Sequence, residues 1–195
     1  MKRIILFIAG ILLVHAAHAQ SDQLQLDEHN KYIYYRVVEL RGVSLDSLHK
    51  NSLLFVKTYY SKNKSVQISD TSVVLNDKFI LYSSINFAGH ESGEMAFTLH
   101  IECRDSKYRF WVTDFVFTPY KRNRYAVFVP VPGREIRLER ASVKIDKTEL
   151  DGYMSQAAIF CRQLADQLKQ YMSESHHKNI LPKKSLPPKI STRKW

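Results

Sequence analysis

Two alternating runs of residues, separated by a short polar turn, dominate the stretch from Met95 to Phe117. Apolar side chains take every second position before the turn, and they do so again after it, which is the pattern of two paired β-strands. The turn is Asp105-Ser106, and the basic residues Arg104 and Lys107 flank it. Pairing Arg104 with Lys107 fixes the register of the whole hairpin, because residues directly opposite each other share one face.

This register separates an apolar face of the hairpin from a mixed one. The apolar face holds the pairs Cys103/Tyr108, Ile101/Phe110, Leu99/Val112 and Phe97/Asp114. We expect helices to cover that face. The other face holds the pairs Glu102/Arg109, His100/Trp111, Thr98/Thr113 and Ala96/Phe115. An opposite-charge pair, a His beside a Trp and a Thr pair are typical of a half-exposed sheet face.

Before the hairpin, the periodicity predicts one helix among several strands. The predicted elements are a strand at Tyr32 to Leu40, a helix at Leu45 to Tyr60 with Ser44 as its N-cap, a short strand at Val66 to Ile68, and one or two strands over Val73 to Phe87. Asn76-Asp77 is the predicted break in the last of these runs.

After the hairpin, Pro119 is expected to end the second strand. Within Tyr120 to Arg140, the run Tyr125 to Val131 is apolar, Pro132-Gly133 is a turn signal, and Arg134 to Arg140 alternates. This pattern suggests a small extra hairpin. A long helix with a broad apolar stripe follows, from a Thr148 cap to Met172. The prediction is a single α+β domain over 32–172. It has an antiparallel sheet of about five strands, and the elements follow in the order β-α-β-β-β-β-α.

The two ends of the chain differ in composition from this domain. Residues 1–19 have a basic start, an apolar run and a small-residue cleavage site at Ala17-His18-Ala19, which predicts a secretory signal peptide. The alternative is an uncleaved membrane anchor, for which the apolar run is short. Residues 20–31 are polar and are expected to form a loose N-terminal segment. Residues 173–195 combine six basic residues with three prolines, as disordered tails do. The sequence therefore predicts an exported protein, periplasmic or extracellular after cleavage near Ala19/Gln20.

The formal net charge of +10 is concentrated at these ends. Two positive charges lie on Lys2 and Arg3, and a net five lie on the tail, so about three remain for the folded domain. A charge this small is not typical of a nucleic-acid-binding domain, and no nucleic-acid partner is predicted.

The chain has two cysteines, Cys103 and Cys161, each on a predicted apolar face. A strand-to-helix disulfide between them is possible in an oxidising compartment. The alternative is two buried thiols that pack as small hydrophobic side chains.

The strand YRVVELRG, the helix from Ser44 and the ending IECRDSKYRFWVTDF resemble the bacterial family called domain of unknown function 4468. The resemblance extends from about Tyr35 to Phe117, and more loosely to Met172. It implies a TATA-box-binding-protein-like (TBP-like) fold, in which a curved antiparallel sheet has both helices packed on one face. It also implies export in Bacteroidetes-type Gram-negative bacteria. It carries no established activity, and a fold shared with a DNA-binding protein is not an argument for DNA binding.

The open face of the hairpin is the leading candidate for a binding site. Its predicted members are His100, Glu102, Arg109, Trp111, Thr113 and Phe115. Trp and Arg are favoured at the centres of protein interfaces, and an exposed aromatic strip is typical of a binding surface. The alternatives are a solvated face or one covered by the segment from Tyr120 to Arg140.

Catalytic chemistry is not indicated. His100 and Glu102 lack a third partner for a zinc site, which needs about three or four ligands, so no metal is predicted. Asp114, expected on the apolar face, has no second acid or His placed beside it. The sequence contains no G-x-S-x-G and no Gly-rich phosphate loop, and no cofactor is predicted.

The sequence thus favours a non-enzymatic interaction module of the periplasm or cell envelope, whose partner is an unidentified protein or envelope component. One alternative is a small periplasmic enzyme with an unrecognised site. The other is an envelope-associated structural protein that docks on an anionic surface through its basic tail.

Overall fold

The computed structural model describes residues 23–61, 65–83 and 89–173. These residues form an α+β fold with an antiparallel sheet, as predicted. The strands are β1 (Gln25–Leu26), β2 (Tyr32–Glu39), β3 (Val66–Ile68), β4 (Ser72–Tyr82), β5 (Glu91–Arg104), β6 (Lys107–Arg122), β7 (Phe128–Pro130) and β8 (Ile136–Arg137). The helices are α1 (Leu45–Tyr59), a 3-10 turn at Leu138–Val143, and α2 (Lys147–Ser173).

The central hairpin has the predicted register from its turn to its middle. β5 and β6 pair antiparallel from Arg104 opposite Lys107 to Thr98 opposite Thr113. Around this hairpin the strand order is β1-β2-β6-β5-β4-β3, with β7 and β8 also paired to β6. β2 and the hairpin thus lie side by side, although more than 50 residues separate them in the chain.

A β-bulge in β6 interrupts this register. Thr98 is opposite Thr113, but Ala96 is opposite Val116, so β6 contains one extra residue between these pairs. Asp114 takes a left-handed backbone conformation at the bulge, with φ of 54°. Because one extra residue exchanges the two faces of a strand, Asp114 leaves the apolar face and Phe115 enters the core, where it is fully buried.

The predicted positions of Asp114 and Phe115 are therefore wrong, for a physical reason. Uninterrupted pairing would bury a carboxylate beneath the helices and expose a phenyl ring, and both are unfavourable. The bulge instead places the Asp114 carboxylate 2.6 Å from Lys31 Nζ.

Both helices pack on the apolar face of the sheet. Ser44 caps α1, as predicted, by accepting a hydrogen bond from Ser47 N. At α2 the cap is Asp146 rather than Thr148, because the Asp146 carboxylate accepts a hydrogen bond from Thr148 N at 3.0 Å. The core between the layers includes Leu48, Phe55, Leu99, Phe110 and Leu168, each with no exposed surface.

Two strands run through their predicted breaks. β4 is continuous through Asn76-Asp77, and β6 continues beyond Pro119 to Arg122. Pro119 fits because its carbonyl still accepts a hydrogen bond, from Val131 N at 2.9 Å. The extra hairpin predicted within 120–140 is wrong in its pairing, since β7 and β8 each pair with β6 and not with each other.

Cys103 and Cys161 are both buried and are free thiols. The structure therefore has the second of the two arrangements considered above, in which the thiols fill the core. The predicted signal peptide at 1–19 and the tail beyond Ser173 lie outside the described residues. No helix in the described part of the chain is long and apolar enough to cross a membrane.

Candidate binding face

The open face of the sheet carries a stacked row of side chains from neighbouring strands. The His100 and Trp111 rings stack with centroids 4.6 Å apart and planes within 5° of parallel. The Arg109 guanidinium lies 5.4 Å from the Trp111 ring centroid. The row arises because His100 and Trp111 are directly opposite in the β5–β6 ladder, and Arg109 is two residues before Trp111 on the same face.

Arg109 is held in place from two sides. Its Nε donates a hydrogen bond to Glu102 Oε2 at 2.6 Å, and its Nη2 lies 2.5 Å from the same oxygen. The hydrogen bond with Glu102 raises the pKa of Arg109, and a hydrogen bond with Tyr35 adds to the effect. The guanidinium is thus presented over Trp111 in a fixed orientation, so little side-chain entropy remains to be lost in a further contact.

His100 sits in the same row as a neutral ring. Burial lowers the pKa of His100 below its ordinary value and outweighs the opposite effects of Asp114 and Glu102. The imidazole therefore adds an uncharged aromatic surface at neutral pH, rather than a cation.

A groove of about 170 Å³ opens beside this row, between the end of the hairpin and β2. Tyr35 and Val37 of β2 form its apolar side, with 47% and 53% of their surfaces exposed. Its polar side is formed by Arg104, Lys107, Arg109 and Glu102. The groove thus has an apolar strip along one edge strand and an excess of cations opposite.

The structure brings together four of the six residues predicted for this face, namely His100, Glu102, Arg109 and Trp111. Thr113 is on the same side of the strand but only 7% exposed, and its hydroxyl donates to Tyr32 O at 3.2 Å. Phe115 belongs to the core, as described above. Hydrophobic periodicity does not reveal a β-bulge. The signal that could have indicated one is the acidic residue, Asp114, at a position that alternation assigns to the core.

The prediction omitted the contribution of β2. The alternation in its sequence places Tyr35 and Val37 on one face, but nothing local to β2 indicates that it pairs with β6. The ladder sets Tyr35 opposite Trp111 and Val37 opposite Arg109. That pairing joins three strands, β2, β6 and β5, into one continuous surface.

A polar recess of about 360 Å³ lies where α2 begins beside the end of β6. There the Tyr120 hydroxyl donates to Glu94 at 2.9 Å, and the Tyr153 hydroxyl donates to Glu149. Burial, followed by these bonds, raises the pKa of each tyrosine to about 12. Both hydroxyls are protonated at neutral pH, so neither is a ready nucleophile or base.

The described residues contain no group of three or more His, Cys, Asp or Glu that could hold a metal ion.

Two solved structures share the fold. A TBP-like protein from Parabacteroides distasonis superposes with a TM-score of 0.61 at 13% identity, covering 77% of this chain and 97% of its own. A DUF4468 family protein from Bacteroides ovatus superposes with a TM-score of 0.56 at 10% identity, covering 80% of this chain and 92% of its own.

No match is found among curated proteins. The family model described as "Domain of unknown function (DUF4468) with TBP-like fold" matches residues 34–118, which include most of β2, all of α1, β3, β4 and β5, and most of β6. Over this segment the chain matches the DUF4468 family model, and it shares the TBP-like fold of both solved structures.

Proposed function

We propose that the protein is a non-enzymatic binding module of the periplasm or cell envelope, and that it binds its partner through the open sheet face. The observation that carries the proposal is the fixed row of His100, Trp111 and Arg109 beside an open groove. Stacked aromatic rings with an oriented guanidinium supply large contact area at little entropic cost, which is what interface centres need.

The composition of the face argues for recognition rather than catalysis. Its carboxylate, Glu102, is engaged by Arg109, and its imidazole is stacked on Trp111. A general base needs a free lone pair within reach of a substrate proton, whereas these groups are used to hold one another. The arrangement therefore presents a preformed surface.

The test is a capture experiment with the chain from Gln20 onward as bait, carried out on envelope and cytoplasmic extracts of the source organism. The face variant is Trp111→Ala with Arg109→Ala. The matched control is Tyr125→Ala with Arg124→Ala, which removes another Arg–aromatic pair, 4.8 Å apart, at the turn after β6. Both variants lose one arginine and one aromatic ring.

The expected result is a partner from the envelope extract that the wild type and the control retain and the face variant loses. A partner retained by all three baits would contradict the role of the face. A partner drawn only from the cytoplasmic extract would contradict the proposed compartment. A fourth bait that ends at Ser173 tests the alternative, docking through the basic tail, which predicts loss of the partner with that bait alone.

A further inference from the structure

We infer that the open face receives its partner as an extended, acidic peptide segment that adds to the free edge of β2 as a further strand. The inference rests on the proposed binding role of the face. It adds the partner's backbone conformation, its place on the sheet and its charge.

The edge of β2 is unpaired over most of its length. β1 pairs only with Tyr32 and Ile33, and no strand within 23–61, 65–83 or 89–173 lies beside Tyr34 to Glu39 on that side. An edge of this kind is a template for β-augmentation, in which a peptide forms main-chain hydrogen bonds with an existing sheet.

The direction of the backbone groups follows from two bonds at the ends of β2. Asp27 N donates to Lys31 O on the β1 side, and Leu40 N donates to Ser106 O on the β6 side. Alternate residues of an antiparallel strand direct their N–H and C=O groups to opposite sides. Odd-numbered residues of β2 therefore face away from β6, so Tyr35 and Val37 direct their N–H and C=O groups to the free edge.

On the opposite side of the sheet β3 covers Val73 to Leu75 of β4, and the rest of β4 forms a protected edge. By the same alternation, Asn76, Lys78, Ile80 and Tyr82 of β4 face outward. Asn76 N donates to Ser65 O, and Lys78 N donates to the Asp77 carboxylate. The Gln156 side chain closes the end of this edge, accepting from Tyr82 N at 3.0 Å and donating to Tyr82 O at 2.9 Å. One edge is blocked by side chains, and the other lies open beside the groove.

The side chains indicate which peptide fits. A strand added beside β2 places every second side chain on the open face, next to Tyr35 and Val37. Across the groove, Arg104 and Lys107 are directly opposite each other at the end of the hairpin. Like charges in that position are unfavourable, and an incoming carboxylate relieves the repulsion. The groove lining has three cations and one carboxylate, and Glu39 of β2 lies opposite Lys107 on the same face. One net positive charge remains, which favours an acidic segment over a basic one.

The probe is an end-blocked peptide of about seven residues, the length of an ordinary strand, that alternates glutamate and valine. One control peptide has lysine in place of glutamate. The other has the same side chains, but every second backbone nitrogen is methylated, so that one edge of the peptide cannot donate hydrogen bonds. Binding is followed to millimolar peptide through the backbone amide chemical shifts of the isotopically labelled chain from Gln20 onward.

The matched protein variants are Val37→Pro and Ile80→Pro. Each removes one outward N–H from an edge strand and leaves the bonds to the inner neighbour, which is where proline is tolerated in sheets. Denaturant midpoints verify that both variants fold. Val37→Pro is expected to weaken binding roughly tenfold through the loss of a main-chain hydrogen bond, whereas Ile80→Pro on the protected edge leaves it unchanged.

Support consists of shifts at the Tyr35 and Val37 amides with the glutamate peptide and loss of binding with both control peptides. Equal binding of the lysine or the methylated peptide overturns the inference. No shift with the glutamate peptide also overturns it, while the proposed function stands or falls by its own capture experiment. Shifts confined to His100 and Trp111 leave the binding face intact but refute strand addition. If the Tyr35 and Val37 amide shifts depend on protein concentration without peptide, the edge pairs with a second copy of the chain, and the inference of an acidic peptide partner is overturned.

Discussion

The bulge in β6 can be tested by the stability of two variants, because it buries different side chains from those that an uninterrupted hairpin would bury. Replacing Phe115 by Ala removes a ring that has no exposed surface. Replacing the next residue, Val116, by Ala removes two methyl groups from a half-buried position opposite Ala96. Uninterrupted alternation predicts the reverse burial of these two side chains.

The expected magnitudes follow from burial. Phe→Ala at a fully buried position costs about 3–5 kcal/mol, through lost transfer free energy and the cavity that remains. Val116→Ala at its half-buried position is expected to cost about 1 kcal/mol or less, at roughly 0.8 kcal/mol per fully buried CH₂ group. Against a typical unfolding free energy of about 5–15 kcal/mol, the Phe115 variant remains measurable.

The assay is equilibrium urea unfolding of the chain from Gln20 onward, followed by circular dichroism. With a denaturant slope of about 2 kcal/mol per molar, a loss of about 4 kcal/mol lowers the midpoint by about 2 M. A Phe115→Ala cost below about 1 kcal/mol, or a greater cost for Val116→Ala, would refute the bulge and the exchange of faces derived from it.

Two further predictions concern titratable groups. Because burial lowers the pKa of His100, its contribution to stability is complete above the unfolded value and decreases as the pH falls below about 6.5. The unfolding free energy should therefore decline less between about pH 7 and pH 5 in His100→Gln than in the wild type. An equal decline in both proteins would contradict the lowered pKa of His100. Burial also raises the pKa of Cys103 to about 11 and raises that of Cys161, so a thiol reagent should react slowly with the folded protein. In denaturant without reductant both thiols should react, whereas a protein with no reactive thiol in denaturant would contain the disulfide instead.

The strand register was predictable where the paired residues lie close together in the sequence. The turn at Asp105-Ser106 and the alternation on both sides are local, and they place Glu102 opposite Arg109 and His100 opposite Trp111 correctly. The N-cap at Ser44 was predictable for the same reason, since a cap is a contact between near neighbours in the chain.

The same reasoning failed where a distant group decides the outcome. Asp114 leaves the apolar face because carboxylate burial is costly and because Lys31, 83 residues earlier in the chain, lies within hydrogen-bond reach. Pro119 remains within β6, and its carbonyl accepts a hydrogen bond from Val131, which lies just after β7 and 12 residues further along the chain. Asn76-Asp77 were expected to break β4, but β5 pairs along both residues.

The sequence by itself determined the fold class, the central hairpin, the two helices and the resemblance to DUF4468, since period, caps and turn residues are properties of neighbouring positions. Only the tertiary structure decided what the open face is. It placed β2 beside β6, moved Phe115 into the core, kept the two thiols apart as free, buried groups and left one sheet edge open beside a cationic groove. The physical reason is that strand order, bulges and edges depend on contacts between segments far apart in the chain, and local periodicity does not encode those contacts.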